Sequence, residues 1–249
     1  MSKSETLIAH LIELRSRLLN SFLAWLLVFI CLFPWAAELY ALLAQPMLDK
    51  LPQGGQMIAT DVTTPFFVPL KVAMMAAFVI ALPFVLYQIW RFVAPGLYTH
   101  EKKLVLPLIM ASTLLFLCGM AFAYFAVFPV VFGFITAAAP AGVAVMTDID
   151  KYLNFVMGMF LAFGITFEVP IAVVILVRMG VVTVEKLREV RSYVIVGAFV
   201  VAAVVTPPDV VSQFMLAIPL WLLYEAGVVV AGWIGVRDHT SNDSVTDDN

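Results

Sequence analysis

Polar positions in this chain act mainly as punctuation between long apolar runs. Uncharged stretches cover 18–37, between Arg17 and Glu38, and 72–90, between Lys71 and Arg91; a third begins at 104 and passes Phe128. A fourth, 152–177, contains one charge, Glu168, and two more, 193–206 and 210–236, are joined by Thr206-Pro207-Pro208-Asp209. A helix of about 20 apolar residues crosses a hydrocarbon core of roughly 30 Å, and a charge at its centre costs about 2.5–3.5 kcal/mol. The pattern therefore predicts an all-α polytopic membrane protein. Its six transmembrane helices span about 18–37, 72–90, 104–128, 152–177, 193–206 and 210–236, within one membrane domain over 1–249 that ends in a polar tail at 237–249.

The fifth run is the shortest. Fourteen helical residues rise only about 21 Å, and Pro207-Pro208 cannot continue a helix, so the hairpin of spans five and six is expected to end short of the outer face. The alternative is a helix that starts near Leu187 and carries Arg188 and Arg191 by snorkelling. Beyond Phe128 the uncharged run continues to Thr147 through Pro129 and Pro140, which reads as a partly interfacial connection. Leu7, Leu11, Leu14 and Leu18 recur at helical spacing with His10, Glu13 and Arg17 on another face, as in an amphipathic helix lying at the membrane surface before the first span. In the loop after that span, a helical pattern at Leu39, Leu42 and Leu43 is expected to stop before Pro46. No inverted internal repeat is visible.

Composition agrees with the pattern. The chain is 63% hydrophobic and 12% charged, with a mean hydropathy of +1.02, against about a quarter charged in soluble domains; a soluble enzyme is excluded. A net charge of −3 gives no basic field for nucleic acid. Six spans put both termini on one side. Eleven of the fourteen Lys and Arg then fall on that side, against Lys50, Lys71 and Lys151 on the other, so the positive-inside rule makes both termini cytoplasmic. The first run has the length of a span and no small-residue cleavage site after it, the pattern of a retained anchor. Cys31 and Cys118 lie in apolar runs, where a thiol behaves as a small hydrophobe. There is no phosphate loop, G-x-S-x-G elbow or H-E-x-x-H, and His10, His100 and His239 are too scattered to suggest a metal site.

The chemistry that remains is carboxylate chemistry. Glu13 and Arg17 stand at i, i+4, the spacing of a helix-surface ion pair worth about 0.2–0.5 kcal/mol. Glu101 follows Pro95-Gly96 and Thr99, in the first turn of the next helix, where the helix dipole favours an acid. The other reading makes Glu13 and Glu101 two anionic anchors for a dicationic ligand, with Phe92 and Leu97 giving apolar contact; guanidinium groups meet carboxylates in a bidentate way that an ammonium does not reproduce. Glu168 sits near mid-bilayer, just before Pro170, which is expected to break its helix. Intramembrane acids are functional candidates by default; a protonated, hydrogen-bonded structural glutamate is the competing reading. Glu225 lies nearer the cytoplasm. Thr206, Asp209 and Gln213 form a polar cluster at the tight outer turn, able to bond another membrane helix.

Four segments carry a resemblance. His-Leu-Ile-Glu-Leu-Arg-Ser-Arg (10–17), Phe-Val-Ala-Pro-Gly-Leu-Tyr-Thr-His-Glu (92–101), Ala-Phe-Gly-Ile-Thr-Phe-Glu-Val-Pro (162–170) and Thr-Pro-Pro-Asp (206–209) closely resemble the TatC family, the multispanning subunit of the twin-arginine translocase. The likeness runs in order from about residue 6 to 236. It implies a receptor for twin-arginine signal peptides of folded cargo. Such a receptor would work without a cofactor, beside further copies of itself and the single-span TatB and TatA, in transport driven by the proton-motive force across the bacterial inner membrane. It also implies a glove-like concave shape with spans five and six short. Carried over by position, Glu13 and Glu101 meet the arginine pair with Phe92, Leu97, Arg15 and Arg17 around them; Glu168, Thr206 and Gln213 face partner helices. The reading from residues alone leaves two alternatives: a proton-coupled secondary transporter of a small solute using Glu168, and a scaffold that only gathers single-span helices.

Overall fold

The computed structural model describes residues 3–48, 57–93, 102–137, 147–206 and 210–243. The N-terminal amphipathic pattern and the first apolar run form one helix, α1 (Lys3–Leu32), and not a surface helix followed by a separate span. No Gly or Pro lies between Leu7 and Leu32 to divide them. A 3-10 turn at Phe33–Trp35, with Pro34 at its start, ends α1 and leads into α2 (Ala36–Leu48).

The expected stop before Pro46 is not found either. Proline has no N–H to offer the carbonyl four residues back, and here the Leu42 carbonyl accepts from Tyr124 Oη at 3.2 Å instead. The Leu43 carbonyl accepts from Tyr152 Oη at 2.9 Å. Tertiary hydroxyls thus satisfy helix carbonyls, and α2 runs through the proline.

The remaining helices are α3 (Thr64–Val93), α4 (Lys102–Phe122), α5 (Phe128–Ala137), α6 (Ile149–Arg178), α7 (Val184–Glu189), α8 (Arg191–Val205) and α9 (Val210–Asp243). A π turn at Ala123–Val127 joins α4 to α5 without interruption, so the third span continues past Phe128 as far as Phe134 instead of turning interfacial there; residues 138–146 of the expected connection lie outside the described residues. The Phe128 N–H reaches back to the Ala123 carbonyl, and this widened turn sits immediately before Pro129, where the ladder must lose a donor. Val127, Phe128 and Val131 are almost completely buried, with the Phe128 ring 5.5 Å from Phe132 and 5.3 Å from Phe160. Pro170 likewise lies inside α6 without breaking it.

Among the described residues five helices are long and apolar enough to cross a membrane, and α8 is the shorter sixth. Its 15 residues rise about 22 Å. Leu187 belongs to the separate helix α7, which ends at Glu189 with Val190 as its C-cap, so the short fifth span is the correct reading of the two.

Packing centres on α6, which lies against α4 on one side and α9 on another, while α1 leans chiefly on α3. Two glycines permit the first approach. A Cβ on Gly119 would stand 2.5 Å from the Phe163 carbonyl oxygen, and one on Gly164 would meet the Phe116 ring at 2.4 Å. Small residues are how membrane helices gain dispersion contact when lipid is as apolar as the side chains. At the other end of α6, Asp148 caps the helix by accepting from the N–H groups of Asp150 and Lys151. Its second oxygen accepts from the Thr60 N–H at 3.1 Å and from the Thr60 hydroxyl. Backbone bonds between Ile58 and residues 147 and 149 complete this clamp.

Candidate functional site

Glu13 and Arg17 share one face of α1, and the Arg17 guanidinium donates through Nε (3.0 Å) and Nη2 to Glu13 Oε1. The pair does more than decorate a helix surface. Arg17 Nη1 also donates to Gln88 Oε1 of α3 at 3.3 Å, with Gln88 buried. The Arg17 side chain is 13% exposed while that of Glu13 is 45% exposed. One acid in the N-terminal part of α1 therefore holds a guanidinium and remains accessible from the surface. Arg15 is exposed and Phe92 half-buried at the end of α3. Glu101 and Leu97 lie outside the described residues, as does the turn that carries them.

At membrane depth the structure assembles a chain of hydrogen bonds. Trp90 Nε1 of α3 donates to Ser112 Oγ of α4 at 2.8 Å, and Ser112 Oγ donates to Glu168 Oε2 of α6 at 2.8 Å. Trp90 and Ser112 are both buried, within an apolar cluster that includes Leu86, Phe116 and Ile171. The other carboxylate oxygen, Glu168 Oε1, is buried with no hydrogen-bond partner among the described residues. Glu168 is thus oriented by three helices through one oxygen and left with an open acceptor on the other. Gln88, Trp90 and Ser112 were not singled out from the sequence; Gln88 was visible only as a lone polar residue and Ser112 only as half of a Ser-Thr pair in otherwise apolar runs.

The polar set at the outer turn is more dispersed than its sequence suggests. Thr206 is buried, and its hydroxyl donates to the Ala202 carbonyl of its own helix at 2.8 Å. Asp209 lies outside the described residues. Gln213 is half-exposed and makes no side-chain hydrogen bond among the described residues. At the opposite end of that hairpin, Arg191 Nη2 meets Glu225 Oε2 at 2.6 Å and Tyr224 Oη donates to the Leu187 carbonyl at 2.8 Å. Glu225 therefore pairs with Arg191, a structural role. Among the described residues no three His, Cys, Asp or Glu gather into a metal site.

A helical protein crossing the membrane several times, with its polar groups spent on orienting carboxylates at a helix end and at bilayer depth, has the make-up of a membrane transport component that docks other chains. The comparisons with known proteins narrow that class. Residues 9–219 match the family model for TatC, described as Sec-independent protein translocase protein. A TatC from Escherichia coli K12 is 54% identical over 90% of this chain and 87% of its own length; one from Haemophilus influenzae is 48% identical over 97% and 94%. A crystal structure described as the twin arginine translocase receptor TatC superposes with a TM-score of 0.80 at 40% identity, over 90% of this chain and 98% of that one. The chain belongs to the TatC family of Sec-independent protein translocase proteins.

Proposed function

We propose that this chain is the signal-peptide receptor and core subunit of a twin-arginine translocase, which exports folded proteins across the bacterial cytoplasmic membrane at the expense of the proton-motive force. Membership of the family supports the pathway. The observation that supports the receptor role in this chain is the geometry at Glu13: a carboxylate that binds a guanidinium through Arg17 while its side chain stays 45% exposed at the surface. In this reading Glu13 and Glu101 take the two arginines of the signal peptide, with Phe92 and Leu97 as apolar contacts and Arg15 and Arg17 as the local basic frame.

The asymmetry of basic residues puts both termini in the cytoplasm, which turns the Glu13 end of α1 toward newly made cargo. Glu168, with its open acceptor, and the outer-turn residues Thr206, Asp209 and Gln213 are assigned to contacts with the single-span partners TatB and TatA, and further copies of the chain share the complex. The proton-coupled transporter reading gains no support: the comparisons return translocase proteins, and among the described residues Glu168 belongs to no cluster of ion-binding groups.

The test is direct binding of a twin-arginine signal peptide and its twin-lysine variant to the purified chain without partners. Glu13→Ala and Glu101→Ala are each expected to lower affinity for the arginine peptide at least tenfold and to erase most of the arginine-over-lysine preference. Unchanged affinity and unchanged preference in both variants would remove the two-carboxylate site; no binding by the unaltered chain would leave the scaffold reading.

A further inference from the structure

We propose that a cavity at the membrane surface between α6, α7 and α9 binds a zwitterionic phospholipid with a primary ammonium headgroup, its phosphate on Arg188 and its ammonium on Glu185. The inference is independent of the receptor reading and rests only on these helices crossing a bilayer.

The cavity has a volume of about 740 Å³, inside the range of roughly 300–1,000 Å³ typical of small-molecule sites. The chain leaves α6 at Arg178 and reverses through Gly180, whose φ of +69° is a conformation other residues enter only with strain. That turn and α7 form one wall. The other is α9 near the end of its apolar stretch, at Gly232 and Trp233. α6 reaches its last span residue at Arg178, and α9 comes within four residues of Arg237, its first charge after the span, so the opening lies close to the level of lipid headgroups. Trp233 is 73% exposed, in the interfacial position where an indole sits between acyl chain and water. Val177 and Val182 add apolar lining beneath the charged rim.

The charges on that rim are what select the ligand. Within the same segment, Lys186 is paired with Glu189 at 2.9 Å and Arg191 with Glu225 at 2.6 Å. Glu185 and Arg188 are spaced i, i+3, a separation at which opposite charges on a helix ordinarily attract each other. Yet they form no ion pair with each other or with any described residue, and both line the cavity. An unpaired acid and an unpaired base on one rim, over apolar walls at headgroup depth, complement a ligand that carries both charges and an acyl tail. Phosphatidylglycerol would satisfy Arg188 through the same phosphate but offer Glu185 only neutral hydroxyls in place of a cation. A choline headgroup offers Glu185 a quaternary cation with no N–H to donate, whereas ethanolamine donates directly.

Native mass spectrometry of the full chain, released from detergent after exchange into an equal mixture of phosphatidylethanolamine, phosphatidylcholine and phosphatidylglycerol, tests this. The unaltered protein is expected to keep the ethanolamine lipid at least threefold above either competitor. Glu185→Gln should bring ethanolamine down to the choline level, and Arg188→Gln should lower retention of all three lipids at least threefold. Lys186→Gln, which removes a nearby charge outside the cavity, should leave the pattern intact. Equal retention of the three lipids by the unaltered protein, or an unchanged pattern in both Glu185→Gln and Arg188→Gln, would overturn the proposal. Because both residues are exposed at the end of a helix, neither substitution threatens the fold.

Discussion

Ser112 is the joint through which Trp90 reaches Glu168, and its removal has a calculable cost. The residue is fully buried, accepts from Trp90 Nε1 and donates to Glu168 Oε2, each at 2.8 Å. Ser112→Ala deletes both bonds and strands a buried donor and a buried acceptor. A buried polar group left unsatisfied costs about 1–3 kcal/mol in water-soluble proteins. Between membrane helices a single side-chain bond averages nearer 0.6 kcal/mol and reaches about 1.7, because the chain separated within the membrane finds other partners. Two such bonds place the expected loss at about 1–3 kcal/mol. Trp90→Phe keeps a ring in the cluster and removes only the donor; about 1–2 kcal/mol is expected there, part of it from lost volume. Since both changes break the Trp90–Ser112 bond, the double variant should be less destabilised than the sum of the two by about 0.5–1 kcal/mol. Equilibrium unfolding by SDS titration in mixed micelles measures all three. A loss below about 0.3 kcal/mol for Ser112→Ala, or additive effects in the double variant, would refute the relay as a structural unit.

The outer clamp should respond to acid. The hydroxyl of Thr60, together with the N–H groups of Lys151, Thr60 and Asp150, holds the Asp148 carboxyl down from 3.8 to about 2. A lowered folded value means the contribution is complete above the unfolded value and fades as pH falls from about 4 toward 2; a thermal-stability profile in detergent should show that step, and Asp148→Asn should lack it. Glycine substitutions should separate by sign. Gly119→Ala, whose methyl would collide with the Phe163 carbonyl oxygen, is expected to cost about 1–3 kcal/mol, whereas Gly158→Ala, with nothing within 4 Å, should be neutral or stabilising by up to about 1 kcal/mol; the same unfolding titration reads both. For orientation, single cysteines at Lys186 and Asp61 in a chain with Cys31 and Cys118 replaced should react differently with an impermeant maleimide in intact cells, the first protected and the second labelled.

How far the sequence carried depended on which physics dominated. Helix number and type followed from lipid, which forbids unpaired backbone and long charged runs, so the apolar runs mapped onto helices directly. Boundaries failed where rules drawn from isolated helices met tertiary partners. Pro46 was expected to end a helix, but the Leu42 carbonyl it deprives is taken by Tyr124, 82 residues away. The run beyond Phe128 was expected to form a partly interfacial connection, but a π turn ahead of Pro129 carries the helix on to Ala137. Arg17 was read as the boundary between a surface helix and a span; α1 runs past it unbroken because no Gly or Pro divides the segment. The site was legible where it consists of charges and opaque where it consists of neutral partners. Glu13 and Glu168 stand out in an apolar chain, whereas Ser112 acquires a role only once α3, α4 and α6 are side by side.

Gln88 and Trp90 show what that assembly adds. They are two residues apart, about 200° around a helix, so they face opposite sides of the last turns of α3. On one side Gln88 holds Arg17 of α1; on the other Trp90 holds Ser112 and, through it, Glu168. Under the proposed receptor role an arginine arriving at Glu13 would compete with Arg17 for that carboxylate, and Arg17 shares its guanidinium with Gln88. The membrane-surface carboxylate and the membrane-depth carboxylate are therefore fastened to the same short stretch of α3, and any rotation of that stretch changes the geometry of both.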